Sequence, residues 1–171
     1  MPARAEREAE LAQPETYLFA DDGAVPNNTL PLLIHRAALP ADAAGIERAF
    51  ARHGWPPAWR NGVYPWHHFH PSAHEALGVA SGTARVLFGG AGGTALDLAP
   101  GDVIVIPAGV GHCALAASAD LVIVGAYPAG TQDHAARKPD AARHARYRAD
   151  IAAVPHPGRD PATGGPIWPA C

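Results

Sequence analysis

The chain has 171 residues, of which 17% are charged and 48% hydrophobic, and its formal net charge is -3 at pH 7. These values fit one folded domain with a buried core and exclude a disordered chain. Because the sequence contains no run of basic residues, a nucleic-acid-binding surface is not expected either.

The cysteines and the N-terminal residues indicate in which cellular compartment the protein is expected. The chain has two cysteines, Cys113 and Cys171, and no CxxC motif, so a disulfide framework is not expected. Residues 1–15 lack the apolar core of a secretory signal, and no run approaches the roughly 18 apolar residues that a membrane helix needs. We therefore expect a soluble cytoplasmic protein that has no membrane partner.

The N-terminal part of the chain predicts an arm, two strands and one helix. Residues 1–15 are rich in Ala, Glu and Arg and predict a flexible or weakly helical arm. Two β-prone runs, at 17–20 and 30–36, are separated by the turn-rich sequence DDGAVPNN. A helix is predicted at 42–53, where Asp42 can cap the first turn and apolar residues recur on one face.

From Gly62 onward, short strands alternate with breaks that contain Gly or Pro. Strands that recur about every eight to twelve residues are typical of an antiparallel sandwich or barrel, so the predicted fold class is all-β. We place this single domain at 16–127. The predicted strands are 64–70, 75–80, 83–88, 94–98, 102–106, 112–117 and 121–127.

Residues 128–171 predict an irregular C-terminal arm that packs on the barrel or on a partner subunit. The segment is rich in Ala, Pro and Arg, and it ends in the turn-rich sequence DPATGGPIWP. The pattern permits a helix at 139–153. Trp168, a large aromatic side chain in this arm, is the expected anchor.

Two spaced motifs carry the residues with the clearest chemistry. In GVYPWHHFHPSAHEALGVASG, one residue separates His68 from His70, and four residues separate His70 from Glu75. His112 follows in a second element that begins at Gly101. Three imidazoles and one carboxylate are ligand types that hold a divalent transition metal ion. These four residues are therefore the predicted metal ligands.

The predicted ligand set leaves positions open on an octahedral ion. Water, dioxygen or a substrate oxygen can take those positions, unlike the closed coordination of a structural zinc site. The ligand types permit iron, manganese, nickel, copper or zinc. The alternative is that the four residues are polar side chains of a metal-free barrel, where burying an unpartnered Glu75 would cost several kcal/mol.

Alternation along a strand divides the side chains of this region between two faces. His68 and His70 are two residues apart and should project together, whereas His67 should project away from them. Tyr64 and Trp66 share the face of His68 and His70. They are expected beside the metal, either as walls of a ligand pocket or as ordinary core.

Tyr64 and His74 are the candidates for a general acid or base. Tyr64 lies on the face of the predicted ligands, and His74 lies in the turn before Glu75, from which it can face the ligands or the solvent. Tyr127 ends the last predicted strand, and Asp133 and His134 follow it, where a lid can reach the pocket. We assign these three residues little weight.

Both motifs resemble those of the cupin superfamily, and they occur in the family order. The runs DDGAVPNN, HHFHPSAHE and DPATGGPIW are further similar to the YjlB-like group of small bacterial cupins. The resemblance implies a double-stranded β-helix, or jelly-roll barrel, to which this chain adds the short N-terminal helix predicted above. It also implies a homodimer, which is common in the family. It also implies that His68, His70, Glu75 and His112 hold the metal ion.

Three functions are compatible with this resemblance. The first is a metal-dependent enzyme of dioxygenase or isomerase type that acts on a small oxygen-rich metabolite. The second is a non-catalytic binding or sensor cupin in which the metal holds a carboxylate ligand. The third is a scaffold whose metal only stabilises the barrel. The analogy of fold favours the enzyme, whereas the weak candidates for an acid or base favour the binding protein.

Overall fold

The computed structural model describes residues 13–168, and the first part of the predicted arm (1–12) and Cys171 lie outside them. Neither α-helix among the described residues is long and apolar enough to cross a membrane. The strands are β1 (Glu15–Phe19), β2 (Asn28–His35), β3 (Pro57–Asn61), β4 (Glu75–Ser81), β5 (Ala84–Phe88), β6 (Thr94–Leu98), β7 (Val103–Ile106), β8 (His112–Ala117) and β9 (Val122–Ala126). The helices are α1 (Ala43–Arg52), a 3-10 helix (Ala141–Arg143) and α2 (His144–Ala152).

The strands form two antiparallel sheets packed against each other. Six strands pair in the order β1-β2-β7-β4-β9-β3, and three pair in the order β6-β5-β8. One hydrophobic cluster contains side chains from both sheets, including Leu77 of β4 and Val86 of β5, so it is the core between the sheets. This two-sheet architecture confirms the predicted all-β class and is that of a jelly-roll barrel.

Strand β4 separates two hydrophobic clusters because its side chains alternate between the faces of the sheet. Leu77 lies in the core between the sheets, whereas Ala76 lies in a cluster on the outer face that includes Phe50 of α1. A Cβ atom added at Gly78 would lie 3.1 Å from the Phe50 ring, so glycine lets α1 approach the strand closely. Glu75 begins the strand and therefore faces the interior with Leu77.

Helix α1 lies within one residue of its predicted bounds at each end. The side chain of Asp42 accepts a 2.8 Å hydrogen bond from the amide N–H of Gly45, as expected of an N-cap. Ile46 and Phe50 are buried on one face of the helix. Gly54 follows the helix with a φ of +84°, a conformation that glycine adopts without strain.

The segment 64–70, predicted as a strand, is not a regular strand. The chain bends at Pro65 and Trp66, and its pairing near the cluster is an isolated bridge between His68 and His112. Proline has no amide hydrogen to donate to a ladder, so it interrupts the pairing at this point. The segment still delivers His68 to the interior because the bridge fixes its backbone.

Strand β3 (Pro57–Asn61) is missing from the sequence prediction. Pro56 and Pro57 stand at its start, and proline is depleted in strands. The strand forms at the edge of the six-stranded sheet and pairs only with β9, where an N-terminal proline removes no ladder bond.

The C-terminal arm packs on the barrel through aromatic side chains. Helix α2 lies within the range 139–153 that the sequence permits, and its Tyr147 packs edge-on against Phe69 with ring centroids 5.2 Å apart. Trp168 is buried, and its indole N–H donates a 2.8 Å hydrogen bond to the carbonyl oxygen of Pro31. The arm thus contains a helix and is anchored on β2.

Candidate metal centre

Three buried histidines converge inside the barrel. The backbones of His68 and His112 exchange two hydrogen bonds, of 3.2 and 2.9 Å, at the start of β8. One ring nitrogen from each of His68, His70 and His112 lies within 4.8 Å of the others. The structure therefore brings together the three histidines that the motifs single out, and their role as ligands stays a prediction.

In each of the three rings, the nitrogen that points away from the centre of the cluster, Nδ1, is hydrogen-bonded to a backbone carbonyl. The Nδ1 atoms lie 2.7 to 3.1 Å from carbonyl oxygens, in the pairs His70–His134, His68–Trp66 and His112–Val110. Because a carbonyl oxygen can only accept, each Nδ1 carries the proton that it donates. Each Nε2 then keeps its lone pair for the centre of the cluster, and this tautomer is the one suited to binding a metal.

The carboxylate of Glu75 faces two of these inner nitrogens. Its Oε2 lies 3.1 Å from Nε2 of His70, and its Oε1 lies 3.2 Å from Nε2 of His112. Burial alone would raise the pKa of Glu75, but when a proton occupies the site, the charge of His70 and the hydrogen bonds of His112 and His70 hold that pKa well below its usual range. The predicted fourth ligand is thus a buried anion in contact with two of the three histidines.

This arrangement of donors fits a divalent metal ion. If each ring carries its proton on Nδ1, the Nε2 atoms of His70 and His112 set their lone pairs against the oxygens of Glu75. Such contacts between acceptors are unfavourable in a buried site unless a proton or a cation lies between them. A proton on one ring relieves one contact, whereas a cation is attracted by all the lone pairs together.

The surroundings distinguish His68 from His70. Burial lowers the pKa of His68 to about 3, and the nearby His112 contributes in the same direction. Burial also disfavours the charged form of His70, but the Glu75 carboxylate outweighs it and raises the pKa of His70. A proton that competes with a metal ion therefore enters at His70 before His68.

Tyr127 and Trp59 support the carboxylate from outside the histidine cluster. The Tyr127 hydroxyl donates a 2.8 Å hydrogen bond to Oε2 of Glu75 and accepts a 3.0 Å hydrogen bond from the indole N–H of Trp59. Burial, and then the negative charge of Glu75, raise the pKa of Tyr127, which keeps the hydroxyl protonated. The His134 ring stacks on Tyr127 with centroids 4.2 Å apart. The backbone carbonyl of His134 accepts the hydrogen bond from Nδ1 of His70.

A cavity of about 590 Å³ lies beside the cluster, within the usual size range of small-molecule sites. Aromatic, aliphatic and polar side chains all contribute to its wall. The lining residues are Trp59, Asn61, Gly62, Val63, Tyr64, Pro65, His68, His70, Glu75, Leu77, His112, Tyr127, His134, Ala135 and Ala136. The predicted metal ligands therefore face a space that a small molecule can enter.

Tyr64 lies at the mouth of this cavity. Its side chain is 51% exposed, its ring stacks on Trp66 with centroids 4.6 Å apart, and it meets the His68 ring edge-on at 5.2 Å. The structure thus places Tyr64 next to the cluster as the sequence predicts, and its catalytic role stays a prediction. Trp66 packs behind Tyr64 and does not line the cavity.

His74 lies apart from the other predicted site residues. Its ring packs on Trp168 with centroids 4.8 Å apart, and its Nδ1 accepts a 2.9 Å hydrogen bond from the amide N–H of Ala108. Burial lowers the pKa of His74 to about 4, and His156 contributes. The alternation that turns Glu75 to the interior turns its neighbour towards the C-terminal arm, so the structure gives His74 no contact with the cavity.

Sequence reasoning gave little weight to Tyr127 and did not consider Trp59. Both are brought to the site by pairing between distant strands, since β3 and β4 lie on either side of β9. Ala76 is opposite Ala126, so the next antiparallel pair along these chains is Glu75 with Tyr127. A correct pairing of the last strand with β4 would have found Tyr127 from the sequence.

Comparison with known proteins identifies the family. The model of the family described as Cupin matches residues 60–145, which contain the three histidines and Glu75. The uncharacterized protein YjlB of Bacillus subtilis (strain 168) is 42% identical over 152 residues, which are 88% of this chain and 90% of that protein. The chain therefore belongs to the cupin family, and it is similar to YjlB over most of its length.

The solved structures that it resembles are more distant. A variant of oxalate decarboxylase from Bacillus subtilis is 21% identical with a TM-score of 0.37, and the match covers 67% of this chain and 29% of that one. Acireductone dioxygenase from Bacillus anthracis, with a cadmium ion in its active centre, is 16% identical with a TM-score of 0.34. That match covers 78% of this chain and 63% of the dioxygenase. The chain thus spans less than two thirds of either protein.

Proposed function

We propose that His68, His70, Glu75 and His112 bind one divalent transition metal ion. We further propose that the protein is a metal-dependent enzyme of dioxygenase or isomerase type that acts on a small oxygen-rich molecule. One observation carries the proposal: each histidine donates from Nδ1 to a backbone carbonyl, which leaves three Nε2 lone pairs and one buried carboxylate around a common space.

The chemistry available at such a site follows from these ligand types. A divalent ion held there supplies Lewis-acid polarisation of a bound oxygen atom or, if the ion is redox-active, electron transfer. The chain itself supplies the rest. Tyr127 and Trp59 fix the carboxylate of Glu75, and the cavity positions a molecule beside the histidines. The homodimer implied by the family is part of the same proposal.

Titration of the metal-free protein with Co²⁺ tests the metal site, since bound Co²⁺ absorbs visible light in a way that reports its ligands. We expect saturation at one ion per chain. The variant His112→Ala should lose the absorption, and Glu75→Gln should retain the fold but bind more weakly. If the absorption does not saturate as Co²⁺ is added, or if it is equal in His112→Ala and the wild type, the proposed metal site is refuted.

A second candidate function is a non-catalytic binding or sensor cupin that uses the metal to hold a carboxylate ligand. The hydroxyl of Tyr127 favours this candidate, because hydrogen bonds to Glu75 and from Trp59 engage it on both sides. It is therefore not free to exchange protons with a substrate. Oxygen consumption or substrate isomerisation by metal-loaded protein would support the enzyme, whereas saturable ligand binding without turnover would support the binding protein.

A further inference from the structure

The wall of the cavity carries few formal charges. Among the described residues that line it, Glu75 is the only acid, and no lysine or arginine is present. The three histidines of the cluster are neutral when their Nε2 lone pairs bind a metal, since each proton is on Nδ1. With a divalent ion in place, the two positive charges of the ion and the single negative charge of Glu75 therefore leave about one net positive charge at the metal and its ligands.

The basic residues close to the wall in sequence do not line the cavity. Arg60 forms two hydrogen bonds with the carboxylate of Glu47, and the Nζ atom of Lys138 lies 5.1 Å from the centre of the Trp66 ring. Arg137 follows the lining segment without lining the cavity itself. The cavity thus has no fixed cationic side chain in the described part of the chain.

The cavity also lacks the backbone groups that commonly bind phosphate. Such sites use the N-terminus of a helix or a glycine-rich loop that leads into one. No residue of α1 or α2 lines this cavity. A phosphate group would therefore find neither a helix N-terminus nor a lysine or arginine in the wall, and its second negative charge would have no opposite charge beside the metal in a partly buried space.

The rest of the wall is suited to an apolar body. Trp59, Val63 and Leu77 contribute aromatic and aliphatic surface next to the histidines. The other polar lining residues with side-chain donors or acceptors at the surface, Asn61, Tyr64 and His134, are exposed to solvent. A bound molecule therefore meets charge at the metal end and apolar surface along its length.

Resting on the proposed function, we infer that the cavity selects small molecules with a single negative charge and an apolar body, and that it discriminates against phosphorylated compounds. One carboxylate neutralises the net charge of the loaded site, and the apolar body displaces water from the wall. A doubly charged phosphate ester would leave the site with a net negative charge and no lysine or arginine in the described wall to compensate it.

Three probes that share a phenyl ring and differ in charge test this inference. They are benzyl alcohol, benzoate and phenyl phosphate, which carry zero, one and about two negative charges at about pH 7.5. Protein loaded with Co²⁺ to a measured stoichiometry is titrated with each probe and followed by calorimetry and visible absorption. We expect benzoate to bind about tenfold more tightly than either of the other two probes.

An added cation should reverse the preference. Ala136 lines the cavity and is exposed, so Ala136→Arg can bring a guanidinium to the mouth, and Ala136→Gln is the neutral control. We expect the affinity for phenyl phosphate relative to benzoate to rise about tenfold in Ala136→Arg and to stay unchanged in Ala136→Gln. Thermal unfolding of both variants checks that the fold is intact.

The outcomes separate this inference from the proposed function. A protein that takes up no Co²⁺ overturns the proposed function and the inference with it. A protein that holds the ion but binds phenyl phosphate as tightly as benzoate, or benzyl alcohol as tightly as benzoate, overturns the inference alone. A preference for benzoate in the wild type that Ala136→Arg shifts towards phenyl phosphate supports it.

Discussion

The hydroxyl of Tyr127 donates a 2.8 Å hydrogen bond to the same carboxylate oxygen of Glu75 that lies 3.1 Å from Nε2 of His70. Because the indole N–H of Trp59 donates to this hydroxyl, the Tyr127 proton is directed at Glu75. The hydrogen bond thereby joins the first residue of β4 to the residue that follows β9. These contacts hold the carboxylate in one orientation against the histidines.

Removing the Tyr127 hydroxyl should weaken metal binding without removing a ligand. Partners of metal ligands commonly contribute about 10- to 100-fold in affinity, and Tyr127→Phe deletes such a partner while keeping the ring that stacks on His134. We expect a loss of this size in the dissociation constant for Co²⁺, measured by competition with a chelator of known affinity.

Tyr147→Phe is the matched control for this variant. Tyr147 is also a buried tyrosine, but it packs on Phe69 in a separate cluster. The Tyr147→Phe variant should bind Co²⁺ with the affinity of the wild type. If Tyr127→Phe also binds Co²⁺ as tightly as the wild type, the hydrogen bond does not position Glu75.

Two histidines of the same segment, His67 and His70, should differ sharply in their effect on metal content. His70 contacts Glu75 from the centre of the cluster, whereas His67 is half-buried, does not line the cavity, and its Nε2 has no hydrogen-bond partner among the described residues. We expect His70→Ala to lose most of the bound metal and His67→Ala to keep it, by elemental analysis of both purified proteins. Equal metal content would contradict the assignment of these side chains to different faces.

Asp160 should make the stability depend on acidic pH. Burial would raise the pKa of Asp160, but the hydrogen bond with His35 and those from the amides of Thr163 and Ala162 hold it below its ordinary value. A carboxyl whose pKa is depressed in the folded state stabilises the fold above its unfolded pKa of about 3.9 and loses this contribution as pH falls through the folded pKa.

Asp160→Asn should therefore lower the free energy of unfolding by about 1–3 kcal/mol at neutral pH. The difference from the wild type should shrink as the pH falls below about 4. Urea unfolding at a series of pH values measures both, with the exposed Asp97 changed to Asn as the control. A destabilisation that is constant across the pH range would exclude the ionised carboxylate as its cause.

The close packing of α1 on β4 should make Gly78 intolerant of a side chain. A Cβ atom there would lie 2.5 Å from Cγ2 of Ile46, a contact that requires the helix or the strand to shift. We expect Gly78→Ala to lower the free energy of unfolding by about 1–3 kcal/mol. Gly92→Ala, where a Cβ meets no atom within 4 Å, should change it by less than about 0.5 kcal/mol. Similar losses in both variants would contradict this packing.

The sequence predicted those parts of the site that depend on short spacing. His68 and His70 are two residues apart and share a face even though their segment bends, because the bridge with His112 fixes the backbone. Glu75 faces inward because it shares the alternation of Leu77 on β4. The bounds of α1 could also be predicted from the sequence, since its N-cap and its apolar face depend on residues close together in the chain.

The parts that the sequence did not predict depend on contacts between distant segments. Trp59 belongs to an edge strand that begins with proline, and Tyr127 reaches Glu75 only through the pairing of β9 with β4. His74 is next to a predicted ligand in sequence, but a strand turns neighbours to opposite faces. Its packing on Trp168 could not be foreseen without the path of the C-terminal arm.

The most direct test of the central claim is the metal content of the protein as purified, without added metal and without a nickel-binding tag. Elemental analysis of the wild type is compared with the double variant His68→Ala/His112→Ala, after thermal unfolding has shown that both are folded. We expect close to one transition metal ion per chain in the wild type and almost none in the variant. Wild-type protein that holds no metal and takes none up on reconstitution, or a variant that keeps its metal, would contradict the assignment of this cluster as a metal site.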